Sequence, residues 1–254
     1  MRDFLEINQV SFSYFSQTGE IPVLDRIHFH VCEGEFIAIV GPSGCGKTTL
    51  LSLLCGLLTP SSGEILLNGL PVAGSRSQIG YMLQKDHLLD WRSTKRNVSL
   101  GLEVSHTYRK EDGERIDKML RDYGLSDFSK NLPSQLSGGM RQRAALIRTL
   151  LRDPSLLLLD EPFSALDYQT RLTVCEDVWH IIRETKKTTL LITHDVTEAI
   201  RMADRILVLS RLPATILSSH TLPAELCRLS PMEAGNHPEF AVYFNKIWKE
   251  LMRA

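Results

Sequence analysis

A chain of 254 residues with 43% hydrophobic and 23% charged content has the composition of a globular protein of one or two compact domains, which excludes disordered, collagen-like and small disulfide-scaffold classes. Its 29 Lys+Arg against 30 Asp+Glu leave a net charge of −1; without the positive excess that phosphate backbones demand, no nucleic-acid partner is expected. Five scattered cysteines with no Cys-x-x-Cys pair, no signal-like N-terminus and no apolar run of bilayer length point to a reducing cytoplasm, with membrane attachment only through a partner.

In chain order, Leu5, Ile7, Val10, Phe12 and Tyr14 read as a strand, followed by strands over 27–31 and 36–40. A Gly-rich turn then leads into a helical pattern through Leu50, Leu51, Leu53 and Leu54. Ser61, Ser62 and Gly63 precede a strand over 64–67, the pair Asn68-Gly69 marks a turn, and another strand spans 79–83. From about 88 to 151 helical patterns dominate, with Met119, Leu120 and Tyr123 on one face and Ala144, Ile147 and Leu151 on another. Buried-strand runs return at 156–159, 189–193 and 206–209, separated by helical stretches over 172–183 and 197–202. Phe240, Tyr243, Phe244, Ile247, Trp248 and Leu251 give 239–252 an amphipathic helix that either packs on its own domain or docks a partner. The expected architecture is α/β: a mixed, mainly parallel sheet with an N-terminal antiparallel β region and an inserted α-helical subdomain. As a single domain over 1–254, it divides into a core (1–86 and 152–220), a helical insertion (87–151) and a C-terminal helical extension (221–254).

Gly41-Pro42-Ser43-Gly44-Cys45-Gly46-Lys47-Thr48 fits the phosphate-loop pattern G-x-x-x-x-G-K-[ST] between a buried strand and a helix, the context that pattern requires. The glycines let backbone N–H groups turn toward a phosphate, the helix N-terminus adds its dipole, Lys47 brings a point charge and Thr48 can ligate Mg²⁺. The ligand read from this segment is a nucleoside triphosphate. Four leucines then end in Asp160-Glu161; Asp160 is placed to hold Mg²⁺ and Glu161 to orient the attacking water. Cys45 is read either as packed or exposed, or as a reactive thiol.

Leu136-Ser137-Gly138-Gly139-Met140-Arg141-Gln142-Arg143 resembles the signature motif of ATP-binding cassette proteins, and the chain up to Leu209 follows that family's order. The resemblance implies a phosphate-loop NTPase core with a helical signature subdomain and ATP hydrolysis with Mg²⁺. Within it, Tyr14 stacks on adenine, Gly41 to Thr49 bind ATP, and Thr48, Gln84 and Asp160 hold the metal. Gln84 is the Q-loop glutamine, Ser164-Ala165-Leu166-Asp167 the D-loop, and His194 the switch histidine acting with Glu161. Ser137, Gly138, Gly139 and Met140 face the ATP of a second copy, so two chains sandwich two nucleotides; a Ser at a helix start with adjacent N–H groups suits such an anion.

His87-Leu88-Leu89-Asp90-Trp91-Arg92 through Asn97-Val98 resembles importers of the nitrate/sulfonate/taurine type, with Asp90 where a proline is usual and Arg96 where an acid is common. Leu88, Leu89 and Trp91 suit either the core of the helical subdomain or a groove for a membrane partner. The implied protein is a peripheral ATPase on the cytoplasmic face of the cell membrane, serving an integral-membrane permease and, indirectly, an extracytoplasmic solute-binding protein. A soluble cassette ATPase and an exporter subunit are the alternatives.

Overall fold

The computed structural model describes residues 3–17 and 19–253. Strands β1 (Asp3–Ser16) and β2 (Gly19–Cys32) form a long antiparallel hairpin. On the other side of β1 lies β4 (Ser62–Leu67), which a tight turn joins to β5 (Leu70–Pro71). The second sheet has the order β10 (Ile216–Thr221), β9 (Arg205–Leu209), β3 (Phe36–Val40), β8 (Thr188–Thr193), β7 (Leu156–Asp160), β6 (Ile79–Met82). Its pairings are parallel except at the edge, where β10 runs against β9.

The parallel strands are apolar on both faces, and their period of two decides which layer each residue fills. Ile37, Ile39, Leu156, Leu158, Leu190 and Ile192 pack toward α1 (Lys47–Leu54) and the antiparallel sheet. Phe36, Ala38, Val40, Leu157, Leu159 and Leu191 pack toward α5 (Tyr168–Thr185), α6 (Val196–Met202) and α9 (Pro238–Arg253). A third apolar cluster lies among α2 (Thr94–Val104), α3 (Asp112–Asp122) and α4 (Gly138–Leu150). Helix α4 belongs to two clusters: Ala144 and Ile147 face the helical region while Ala145, Leu146 and Leu150 face the sheet. One helix therefore contributes side chains to both cores.

The polar strand β10, ILSSHT, is missed by the sequence pattern, because an antiparallel edge strand with one wet face lacks the apolar run that betrays its neighbours. The short β5 and the first half of β2, expected only over 27–31, are missed as well. Short helices α7 (Ala224–Cys227) and α8 (Pro231–Ala234) lead to α9. Ile247 is fully buried, and Phe240, Tyr243, Phe244 and Leu251 flank the second cluster. Glu250 reaches His220 at 2.9 Å, and the Tyr243 hydroxyl donates to the Thr221 carbonyl at 3.2 Å. Most of the apolar face of α9 thus packs on its own domain, while Trp248, expected in the same stripe, is 48% exposed and stacks on Phe244. Among the described residues, no helix is long and apolar enough to cross a membrane.

Candidate nucleotide site

The phosphate loop joins β3 to α1, and its last turn is set by Gly46, whose φ of +99° is left-handed. A Cβ there would stand 2.7 Å from Val23 Cγ1, so glycine answers both the dihedral and the close approach of β2. Lys47 is buried, and its ammonium donates to the carbonyls of Gly41 at 2.9 Å and Pro42 at 2.8 Å. A cleft of about 400 Å³ opens above this turn, lined by Ser43, Gly44, Gly46, Lys47, Thr48, Thr49, Gln84 and Glu161. Tyr14 stands at its side, 44% exposed, its hydroxyl 3.4 Å from Thr49 Oγ1 and its ring edge-on to Phe12. The Cys45 side chain instead enters the core, and burial raises its thiol pKa despite the nearby Lys47 charge, which favours packing over reactivity.

At the end of β7 two adjacent acids take different environments. Asp160 is buried and accepts from the Tyr81 hydroxyl at 3.1 Å. Burial raises its pKa, with hydrogen bonds from Tyr81 and Thr48 opposing. Glu161 adopts a positive φ of +42°, a conformation that costs a non-glycine residue about 1–3 kcal/mol and is characteristic of functional turns. Its N–H donates to the Ile192 carbonyl at 2.8 Å, its Oε2 accepts from Gln84 Nε2 at 3.2 Å, and His194 Nδ1 stands 3.1 Å from the same oxygen. Gln84 and His194, 110 positions apart in the chain, thereby meet at one oxygen of Glu161.

Ser137, Gly138, Gly139 and Met140 do not line this cleft. The Ser137 hydroxyl caps α4 by accepting from the Met140 N–H at 3.3 Å. A Cβ on Gly138 would stand 2.9 Å from Leu166 Cδ2, so this glycine also serves a close contact with the D-loop segment. Ser164 Oγ donates to the Glu161 carbonyl at 3.0 Å, and the Asp167 side chain caps α5 through the Thr170 N–H at 3.1 Å. Sequence reasoning missed Tyr81, Arg171, Glu198 and the structural part played by Asn97.

The loop after Gln84 is held from both sides. Arg148 of α4 donates to the carbonyls of Asp86 and His87 at 2.6 and 2.8 Å, and Arg141 Nε donates to Asp86 Oδ2 at 3.1 Å. Asn97, fully buried, donates to the carbonyls of Leu89, Arg92 and Ser93 and accepts from the Leu89 N–H at 2.7 Å. Leu88 turns into the helical cluster, whereas Trp91 is 77% exposed. The core reading therefore holds for Leu88 and not for Trp91.

The model of the ABC transporter family matches residues 24–164. The chain is 47% identical over 248 residues to the uncharacterized ABC transporter ATP-binding protein YtlC of Bacillus subtilis, covering 98% of this chain and 95% of that one. It is 38% identical over 251 residues to the taurine import ATP-binding protein TauB of Roseobacter denitrificans, covering 96% and 94%. Among solved structures, the dimeric post-hydrolysis state of the ATP-binding cassette MJ0796 bound to ADP and Pi superposes with a TM-score of 0.74 at 28% identity, covering 87% of this chain and 99% of that one. The chain belongs to the ABC transporter family and is an ATP-binding ATPase of that family.

Proposed function

We propose that this chain powers the uptake of a small taurine-, sulfonate- or nitrate-like solute through a separate integral-membrane permease, with an extracytoplasmic solute-binding protein delivering the solute. The observation that carries this reading is the segment from Gln84 to Ser93: Gln84 touches Glu161 in the nucleotide cleft, and six residues of loop separate it from an outward-facing Trp91, in a segment that α4 and Asn97 hold in place. A change at the phosphate site can therefore reach a surface where a partner would sit. The taurine importer relative supports the solute class.

The residues divide the chemistry as follows. Tyr14 receives the adenine, the N–H groups of 41–49 and Lys47 bind the phosphates, and Ser137 to Met140 with the D-loop residues 164–167 meet the ATP of a second copy across the dimer. Thr48, Gln84 and Asp160 would hold Mg²⁺; a hydroxyl, an amide and a buried carboxyl whose burial disfavours its own charge form a hard oxygen set suited to that ion. The metal supplies charge neutralisation on the phosphates. Glu161 takes the proton of the attacking water, and His194 and Gln84 keep its carboxylate aimed. Residues 1–86 and 152–220 act as the catalytic core, 87–151 as the helical subdomain that transmits closure, and 221–254 as its C-terminal extension, at the cytoplasmic face of the membrane.

The experiment is affinity purification from detergent-solubilised native membranes, with mass spectrometry of the co-eluting proteins and phosphate release measured on the same fraction. A co-eluting multispan permease is the expected result. Active protein recovered only from the soluble fraction, without a membrane partner, would replace the importer reading with a soluble cassette ATPase.

A further inference from the structure

Outside the cleft, one side chain joins three segments that the proposed mechanism treats separately. Arg171, on the first turns of α5, donates from Nη2 to the Leu166 carbonyl at 3.0 Å and from Nη1 to Asp195 Oδ2 at 3.3 Å. Its third arm, Nε, is buried 3.7 Å from Glu198 Oε1 with no hydrogen-bond partner among the described residues. The acceptors bracket His194 in the chain. Asp195 follows it and caps α6 by accepting from the Thr197 N–H at 2.7 Å. Glu198 accepts at Oε2 from the Thr193 hydroxyl at 2.6 Å, and Thr193 immediately precedes His194. The same Thr193 oxygen accepts from the Asp195 N–H at 3.0 Å, so the backbone on both sides of the imidazole is fixed by this cluster.

At the other end, Leu166 carries its carbonyl to Arg171 and its side chain against Gly138, where α4 begins. The guanidinium fits this work because its planar fork offers several fixed donors at once, which an ammonium cannot. Arg171, Asp195 and Glu198 are each largely withdrawn from water, with side-chain exposures of 25%, 25% and 6%, so these contacts are weakly screened.

We propose that Arg171 is a positioning residue for ATP hydrolysis, tying the 164–167 turn to the segment that carries His194 and so setting where the imidazole meets Glu161. Arg171 does not reach the cleft. It acts through His194, whose Nδ1 is the group in contact with the Glu161 carboxylate. This inference rests on the hydrolytic role proposed above for Glu161 and His194.

The test measures phosphate release against ATP concentration for the purified full-length chain and for Arg171→Met and Arg171→Lys, with melting curves for each. Arg171→Met is expected to lower kcat about 3- to 30-fold while leaving KM for ATP within about two-fold, since nothing that contacts nucleotide is removed. Arg171→Lys, which keeps the charge but not the planar fork of donors, should fall between. The double variant Arg171→Met/Asp195→Asn should cost no more than Arg171→Met alone, because both act through one contact. A wild-type kcat in Arg171→Met, or additive losses in the double variant, overturns the proposal. Should Arg171→Met fail to fold, Asp195→Asn alone decides: it keeps the Oδ1 cap on Thr197 and must still lower kcat more than it raises KM, and an unchanged kcat overturns the proposal. Absence of hydrolysis by the wild-type chain would instead remove the underlying assignment.

Discussion

Glu161 Oε2 lies 3.1 Å from Nδ1 of His194, with the carboxylate largely buried and the imidazole half exposed. One oxygen of the acid is thus engaged by His194 and Gln84, and the geometry orients the carboxylate without occupying its second oxygen with any side-chain donor among the described residues. A base held this way should lose its function on amidation and keep its place. Glu161→Gln is expected to lower steady phosphate release by about 10²- to 10⁴-fold while equilibrium ATP binding persists. Unchanged turnover would remove Glu161 from the role of base.

Two glycines of the phosphate loop separate strain from crowding. Gly44 and Gly46 both have positive φ, +78° and +99°, but a Cβ on Gly44 meets nothing within 4 Å, while one on Gly46 meets Val23 Cγ1 at 2.7 Å and Leu24 Cδ2 at 3.2 Å. Gly44→Ala should therefore cost only the dihedral strain, about 1–3 kcal/mol. Gly46→Ala should add a comparable overpacking cost of about 1–3 kcal/mol and weaken ATP binding as the loop shifts. Urea midpoints at constant slope would report the difference; equal losses for the two would show that β2 yields freely.

Much of this was legible in the sequence because it rests on short-range pattern. The buried parallel strands announce themselves as apolar runs, and the phosphate loop as eight consecutive residues between strand and helix. What stayed hidden depends on the third dimension. Arg171 and Glu198 look like ordinary charges on helix surfaces, and only the packing of α6 beside α5 brings them within 3.7 Å. Tyr81 reads as one more strand residue until the parallel pairing of β6 with β7 sets its hydroxyl against Asp160. The Leu88–Trp91 segment carried no periodicity to divide its side chains between core and solvent; the loop is held by Asn97, a polar residue at a buried position, together with Arg141 and Arg148 of α4.

Asn97 offers a test of that loop. Its amide satisfies three carbonyls and one N–H within 89–93, at distances from 2.7 to 3.3 Å. Asn97→Ala would leave the Leu89 N–H and the Arg92 carbonyl without the amide, at a cost of about 1–3 kcal/mol each where water cannot replace it, while the Leu89 and Ser93 carbonyls keep the backbone N–H groups of Arg92 and Asn97. The expected outcome is a loss of stability together with faster tryptic cleavage after Arg92, whose guanidinium otherwise pairs with Glu103 at 2.8 Å. Cleavage at the wild-type rate would mean that Arg148 and the Arg92–Glu103 pair hold the loop by themselves.

Glu198 makes stability depend on pH in an unusual direction. Burial, reinforced by the charge of Asp195, pushes its carboxyl up to about 7 from 4.5, against the hydrogen bond from Thr193 and the attraction of Arg171 and His194. Between those values the native chain binds more protons at this site than the unfolded chain. The stability from this group is therefore complete below about 4.5 and is lost as pH rises through about 7. Glu198→Gln removes the titration while keeping size and a hydrogen-bonding amide. Relative to wild type, the variant should gain stability between pH 5 and pH 8, by up to about 3 kcal/mol for the full displacement. Urea titrations of both proteins at those two pH values measure this, and a difference between them that does not change with pH would place the Glu198 carboxylate in an ordinary, charge-compensated setting and leave its approach to Arg171 as a conventional ion pair.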